Sequence, residues 1–161
     1  MTRPNPSLMK KSAARMAAVQ CLYQHEYATE LNADQLIVAR LGIEAEEEGM
    51  LEELEPLDIA PDAKLLRGIV TGAIEQKVEI DRKLAEILGT RWSGHRMPDV
   101  MRALFRCAAY ELLYHPQLKT GILLDQYVTL ATSFFDDQEV GFVNGALQEA
   151  AKALREASIP S

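Results

Sequence analysis

The chain has 161 residues, 48% of them apolar and 25% charged, with a net charge of −7. That suits one domain over residues 1–161 with a sizeable core, and it excludes both a disordered chain and a protein that coats nucleic acid indiscriminately. No apolar run approaches the roughly 18 residues that cross a bilayer, and no apolar stretch of signal-peptide length follows the basic N-terminus, so the cytoplasm is expected and a membrane partner is not.

Pro4 and Pro6 disfavour a helix interior, and residues 1–8 read as a flexible tail. Ser7 or Ser12 then caps a first helix to about Glu30. In it Met16, Val19, Leu22, Tyr23 and Tyr27 recur at three- and four-residue steps as one apolar stripe. Its start is basic: residues 1–25 carry Arg3, Lys10, Lys11 and Arg15 and no acid. Lys11 and Arg15 stand four apart on one face, where their charges reinforce each other. Residues 26–62 invert the sign, with twelve acids against Arg40 alone, and the rest of the chain carries twelve of each. Only the N-terminal end of so polarised a chain suits a phosphate backbone.

Asp34 is the expected cap of a second helix through Leu41. The acidic stretch from Glu44 to Pro56 reads as a frayed helix end and a solvated loop, because like charges at that density need water. Pro61-Asp62 opens a long apolar pattern that includes Leu65, Leu66, Ile69, Val70, Ile74, Val78, Leu84 and Leu88, with a break expected near Gly72. Gly89 to Gly94 is a connection. Pro98 and Asp99 start a helix that runs through Tyr114 and stops at His115-Pro116, burying Val100, Leu104, Ala108 and Leu112. Another helix is predicted from Gly121 to Phe135. The last begins near Glu139, with Val143, Ala146, Leu147, Ala150 and Leu154 in phase. About six amphipathic helices, short connections and no sustained period-two alternation predict an all-α antiparallel helical bundle.

Catalytic chemistry finds no foothold in this pattern. Cys21 and Cys107 lie far apart among apolar neighbours and read as buried reduced thiols. His25, His95 and His115 are scattered, so no metal site is expected. GxxxxGK(S/T), GxGxxG and GxSxG are all missing, and no cofactor is expected. Asp136-Asp137 point in different directions on a helix, as an N-cap or a solvated loop would, rather than acting as an acid/base pair. The basic helix start is the one group with a mechanism. Lys10, Lys11 and Arg15 can neutralise phosphates while Tyr23 or Phe134 stacks a splayed base. On composition alone, however, an ordinary solvated surface is the favoured reading of these cations.

Three stretches change that balance. Ala14-Arg15-Met16-Ala17-Ala18-Val19-Gln20-Cys21-Leu22-Tyr23-Gln24 resembles the opening helix of the NusB transcription antitermination family, of the form AREAAxQALYQ. Arg102-Ala103-Leu104-Phe105-Arg106-Cys107-Ala108-Ala109-Tyr110-Glu111-Leu112-Leu113 is similar to its RAILRLAxYELL helix. Phe142-Val143-Asn144-Gly145-Ala146-Leu147 is similar to its FVNGVLD signature, and Trp92-Ser93 resembles a further family feature. The resemblance implies two packed three-helix units. It also implies joint binding of boxA-type RNA with NusE, a ribosomal protein, inside the RNA polymerase antitermination complex that transcribes ribosomal RNA.

By position, Lys11 and Arg15 match the family's arginine-rich motif, with Lys10 beside them. Ser12 and Ala13 stand where further basic residues are usual, and Met16 replaces an acid. Phe134 and Gln138 match positions near the RNA face. The Arg102–Glu111 helix is the expected NusE-facing element, through exposed residues such as Met101 and Arg102. Duller roles accompany these: Glu111 as a buried partner for Arg106, and Asn144-Gly145 as a packing or capping site. Two rival readings stand beside the adaptor, an RNA-recruiting NusB-like domain of a ribosomal RNA methyltransferase and a helical scaffold that binds protein alone. Monomer and homodimer are both left open.

Overall fold

Asn5 starts the first helix. Its side chain accepts a hydrogen bond from the Ser7 backbone N–H at 2.9 Å, and Pro6 occupies the first helical position, where a missing N–H costs nothing. Helix α1 therefore runs Pro6–Tyr27, earlier than the Ser7 or Ser12 cap predicts, and residues 6–8 belong to it rather than to a tail. The computed structural model describes residues 5–40, 60–94 and 96–156. The acidic stretch Glu44–Pro56 and His95 lie outside the described residues.

Helix α2 occupies 33–40. Asn32 caps it, not Asp34: the Asn32 side chain accepts from Gln35 N at 2.8 Å while the Gln35 side chain accepts from Asn32 N at 2.9 Å. Asp34 instead pairs with Arg67. The long third pattern divides into α3 (Ala63–Glu75) and α4 (Lys77–Leu88), broken at Gln76 rather than Gly72. Gly72 serves packing, since a Cβ there would overlap the Tyr110 ring. Val78, expected in the buried stripe, is exposed.

The Gly89–Gly94 connection folds into one helical turn, α5 (Thr90–Ser93), entered through Gly89 at φ 59° and burying Trp92. Helix α6 (Asp99–Tyr114) begins and ends as predicted, whereas α7 (Thr120–Ala131) stops four residues short of Phe135 in a turn. Asp136 and Glu139 form a reciprocal cap at the start of α8 (Asp137–Glu156), with Glu139 N donating to Asp136 at 2.8 Å. The N-cap reading of the Asp136-Asp137 pair is thus the one observed for Asp136.

Helix α6 is the centre of this all-α antiparallel bundle, with residues from Met101 to Leu112 buried along nearly its whole circumference. A helix buried on nearly every side must be enclosed, and α1, α3, α4, α7 and α8 pack around it. No described helix is long and apolar enough to cross a membrane.

Candidate nucleic-acid interface

Helix α1 runs antiparallel to α6 and is tied to it at three levels. Near its start, Arg15 donates from Nε and a terminal nitrogen to the Glu111 carboxylate at 2.7 and 3.0 Å. Further along, Glu26 accepts from Arg106 at 2.6 Å, and at its end the Tyr27 hydroxyl donates to Asp99. That hydrogen bond pushes the Tyr27 phenol up to about 12.

Arg15 is only 4% exposed and Glu111 is fully buried. Burial by itself would raise the Glu111 carboxyl, but hydrogen bonds and charge from Arg15, with help from Tyr127 and His115, hold it below the usual carboxylate range. Burial disfavours the Arg15 charge too, and Glu111 more than offsets this. The Tyr127 hydroxyl donates to the same carboxylate, and His115 Nδ1 lies 3.2 Å from its other oxygen. Glu111 thus joins α1, α6, α7 and the turn after α6. Arg155 of α8 closes the group, donating to the His115 carbonyl at 3.0 Å.

Two readings of these residues are corrected. Lys11 and Arg15 do not present one cationic face: Lys11 stays exposed while the Arg15 guanidinium turns inward to Glu111. The partner of Arg106 is not Glu111; Arg106 binds Glu26 and Asp81, the latter at 2.8 Å, and packs 5.3 Å over the Trp92 ring. Family-like charged residues here brace the bundle, because a buried guanidinium needs a carboxylate within reach.

The expected surface residues divide into separate places. Lys10 and Lys11 are exposed, and the Lys10 carbonyl accepts from Asp62 N at 3.0 Å, which pins the start of α3 against the start of α1. Tyr23 is exposed and edge-on to Tyr27 at 5.4 Å. It stands thirteen residues from Lys10, about 20 Å along the helix axis. Phe134 is half-buried in the turn after α7, held by a hydrogen bond from its N–H to the Ala131 carbonyl at 3.0 Å. Gln138 is exposed in the first turn of α8.

Met101, expected to be exposed, is 3% exposed and floors a groove of about 610 Å³ with Met97, Pro98 and Phe142. Helix α6 enters the core within its first turn, which leaves Met101 visible only through this opening. Arg102 is half-buried: it donates to the Gly94 carbonyl at 2.6 Å and packs 5.0 Å over Trp92. Gln138 and Arg96 stand at the groove's edge.

Phe142 escaped the residue-type search, which weighed Phe134 and Tyr23 as aromatics. It is 37% exposed, with its ring edge-on to Phe105 at 6.5 Å. Its place beside an exposed polar face of α8 was the signal, since an aromatic at a core-to-surface boundary presents an edge. Asn144 and Gly145 neither pack nor cap. Both are exposed, a Cβ at Gly145 would meet nothing, and Asn144 accepts from Gln148 one turn on at 3.2 Å. Cys21 and Cys107 are buried and reduced as expected, and burial raises the Cys107 thiol well above its usual range.

The NusB family model matches residues 12–152, a span that holds the Arg15–Glu111 brace between α1 and α6 and the Phe142–Gly145 segment of α8. The chain belongs to the NusB family. Similar chains include the transcription antitermination protein NusB of Sphingopyxis alaskensis, 35% identical over 94% of this chain and 98% of that one. That of Caulobacter vibrioides is 34% identical, over 92% and 97%. NusB of T. maritima superposes with a TM-score of 0.64 at 27% identity, covering 94% of this chain and 93% of that structure. The shared fold confirms the NusB-like helical architecture expected from the sequence.

Proposed function

We propose that this NusB-family chain is a non-catalytic transcription antitermination factor that binds boxA-type RNA together with NusE, in the cytoplasm. Lys10 and Lys11, exposed on the first turns of a helix whose acid-free start is anchored to the bundle, carry the reading: they offer phosphate contacts on a rigid element. Phe134 and Gln138 supply a stacking ring and polar contacts from a second element, the turn after α7 and the start of α8, and Tyr23 meets a strand only where it follows α1 toward its far end. Arg15 enters the site through Glu111. Arg102 and the Met101 groove at the start of α6 form the NusE side. Relatives that match over more than nine-tenths of their length bear the antitermination name, which favours this reading over a methyltransferase domain.

Electrophoretic shift with a boxA-containing RNA, with and without NusE at two salt concentrations, is the test. The complex forms at low salt, tightens with NusE and weakens as salt rises. No shift at low salt with NusE present abandons the proposal. Charge reversal at Lys10 and Lys11 that leaves affinity untouched favours a protein-only scaffold instead.

A further inference from the structure

The proposed RNA face consists of two parts from different elements: the α1 start with Lys10 and Lys11, and the turn after α7 with Phe134, followed by Gln138. Sequence separation between them exceeds one hundred residues, and a strand gripped by both feels any change in their spacing. Two links join the parts. On the surface, the Ser12 hydroxyl donates to the Gln126 side-chain oxygen at 2.7 Å. Beneath it, Arg15 of α1 and Tyr127 of α7 bind the same oxygen of the Glu111 carboxylate. Ser12 lies one residue from Lys11 and Arg15 one helical turn from it, while Gln126 and Tyr127 lead within two turns to Phe134. From there the chain is continuous and hydrogen-bonded: Ser133 N and Phe134 N donate back to Leu130 and Ala131 at 3.0 Å, and the Asp136–Glu139 cap starts the helix that carries Gln138.

We propose that the buried Arg15–Glu111–Tyr127 cluster is the positioning element of the RNA face, setting the distance between the cationic helix start and the aromatic turn, and that Arg15 touches no phosphate. The inference rests on the RNA-binding reading above and deepens it by assigning roles to Glu111 and Tyr127. The physical reason is geometric. A two-pronged guanidinium–carboxylate contact fixes both distance and angle, which one flexible lysine contact does not. A carboxylate shared by two elements fixes them to each other. Arg15 has both of its named nitrogens committed to Glu111 at 4% exposure, so reaching a phosphate would strip a buried carboxylate of its counter-charge.

Two variants and two measurements test this. Tyr127→Phe removes one hydroxyl and keeps the ring in the core; Arg15→Met removes the charge and keeps most of the volume. Affinity for a boxA-containing RNA is measured across a salt series, at a temperature where each variant is folded, and amide hydrogen exchange is measured on the RNA-free proteins. Tyr127→Phe is expected to weaken RNA binding about three- to tenfold, the range of one lost hydrogen bond. Arg15→Met weakens it further, and both keep the wild-type slope of log affinity against log salt, because no phosphate contact has gone. In the RNA-free proteins, amides of residues 8–14 and of 128–138 exchange faster together, while those of α4 do not change.

A slope reduced by about 0.7 in Arg15→Met makes Arg15 a phosphate ligand and overturns the inference. Wild-type affinity in both folded variants reduces the cluster to a stability device and also overturns it. So does faster exchange confined to α1. A wild-type protein that binds no RNA overturns the function reading and the positioning role with it. Unlinked exchange in a protein that does bind RNA sinks this inference alone.

Discussion

The first turns of α1 and the turn that follows them share a sequence character and part in the fold. Lys10 and Lys11 remain in water, whereas Arg15, four residues beyond Lys11, lies under neighbouring helices with a carboxylate of its own. The difference arises from what faces each position. Glu111 on α6 offers a counter-charge at the depth of Arg15, and among the described residues no carboxylate pairs with Lys10 or Lys11. Basic residues in a run are therefore not interchangeable: one cation can brace the platform on which its neighbours work.

Substitution separates the two regions by size of effect. Arg15→Met strands a buried carboxylate and is expected to lower unfolding stability by about 3–5 kcal/mol in urea titration. An effect as small as a surface mutation's would erase the contrast. The glycines repeat it. Gly72→Ala drives a methyl into the Tyr110 ring and is expected to cost about 1–3 kcal/mol, read as a lower Tm. Gly145→Ala meets open space in a helix interior and is expected to stabilise by about 0.5–1 kcal/mol. Stabilisation together with weaker RNA binding would show that a partner approaches the bare backbone there.

Acid sharpens the comparison further. Because the Glu111 carboxyl lies below its ordinary value of 4.5 in the folded chain, the unfolded chain binds more protons as pH falls past that value. Its share of stability is fully present above pH 4.5 and is lost on further acidification through the folded value. Glu111→Gln is expected to start less stable at neutral pH and to show a shallower acid limb in denaturant melts across pH. The smallest stability effects belong to the outer region. Lys10→Gln and Lys11→Gln are expected to stay within about 0.5 kcal/mol of wild type. Each lowers the salt slope of RNA binding by about 0.7.

Much of the fold was readable before any coordinates. The α6 boundaries follow from Pro98-Asp99 and His115-Pro116, since proline dictates where a helix starts and stops. The final helix follows from its apolar stripe. Misplaced details share one cause: Asn5, Asn32 and the break at Gln76 depend on which of several competent residues the neighbouring packing selects. The candidate site was less legible. Lys10, Lys11 and Gln138 lie at the surface as their residue types suggest, but Met101 does not, because the angle at which α6 enters the core is a property of the whole bundle.

By itself the sequence determined an all-helical chain of the NusB type, with an acid-free basic start and without the spacings of a metal or nucleotide site, because periodicity, capping and motif order are local and survive without partners. Tertiary structure alone decided that Arg15 answers to Glu111, that Arg106 answers to Glu26 and Asp81, and that Phe142 opens onto a groove. The pairing of a buried charge depends on distances between helices far apart in the chain, and no local pattern encodes them.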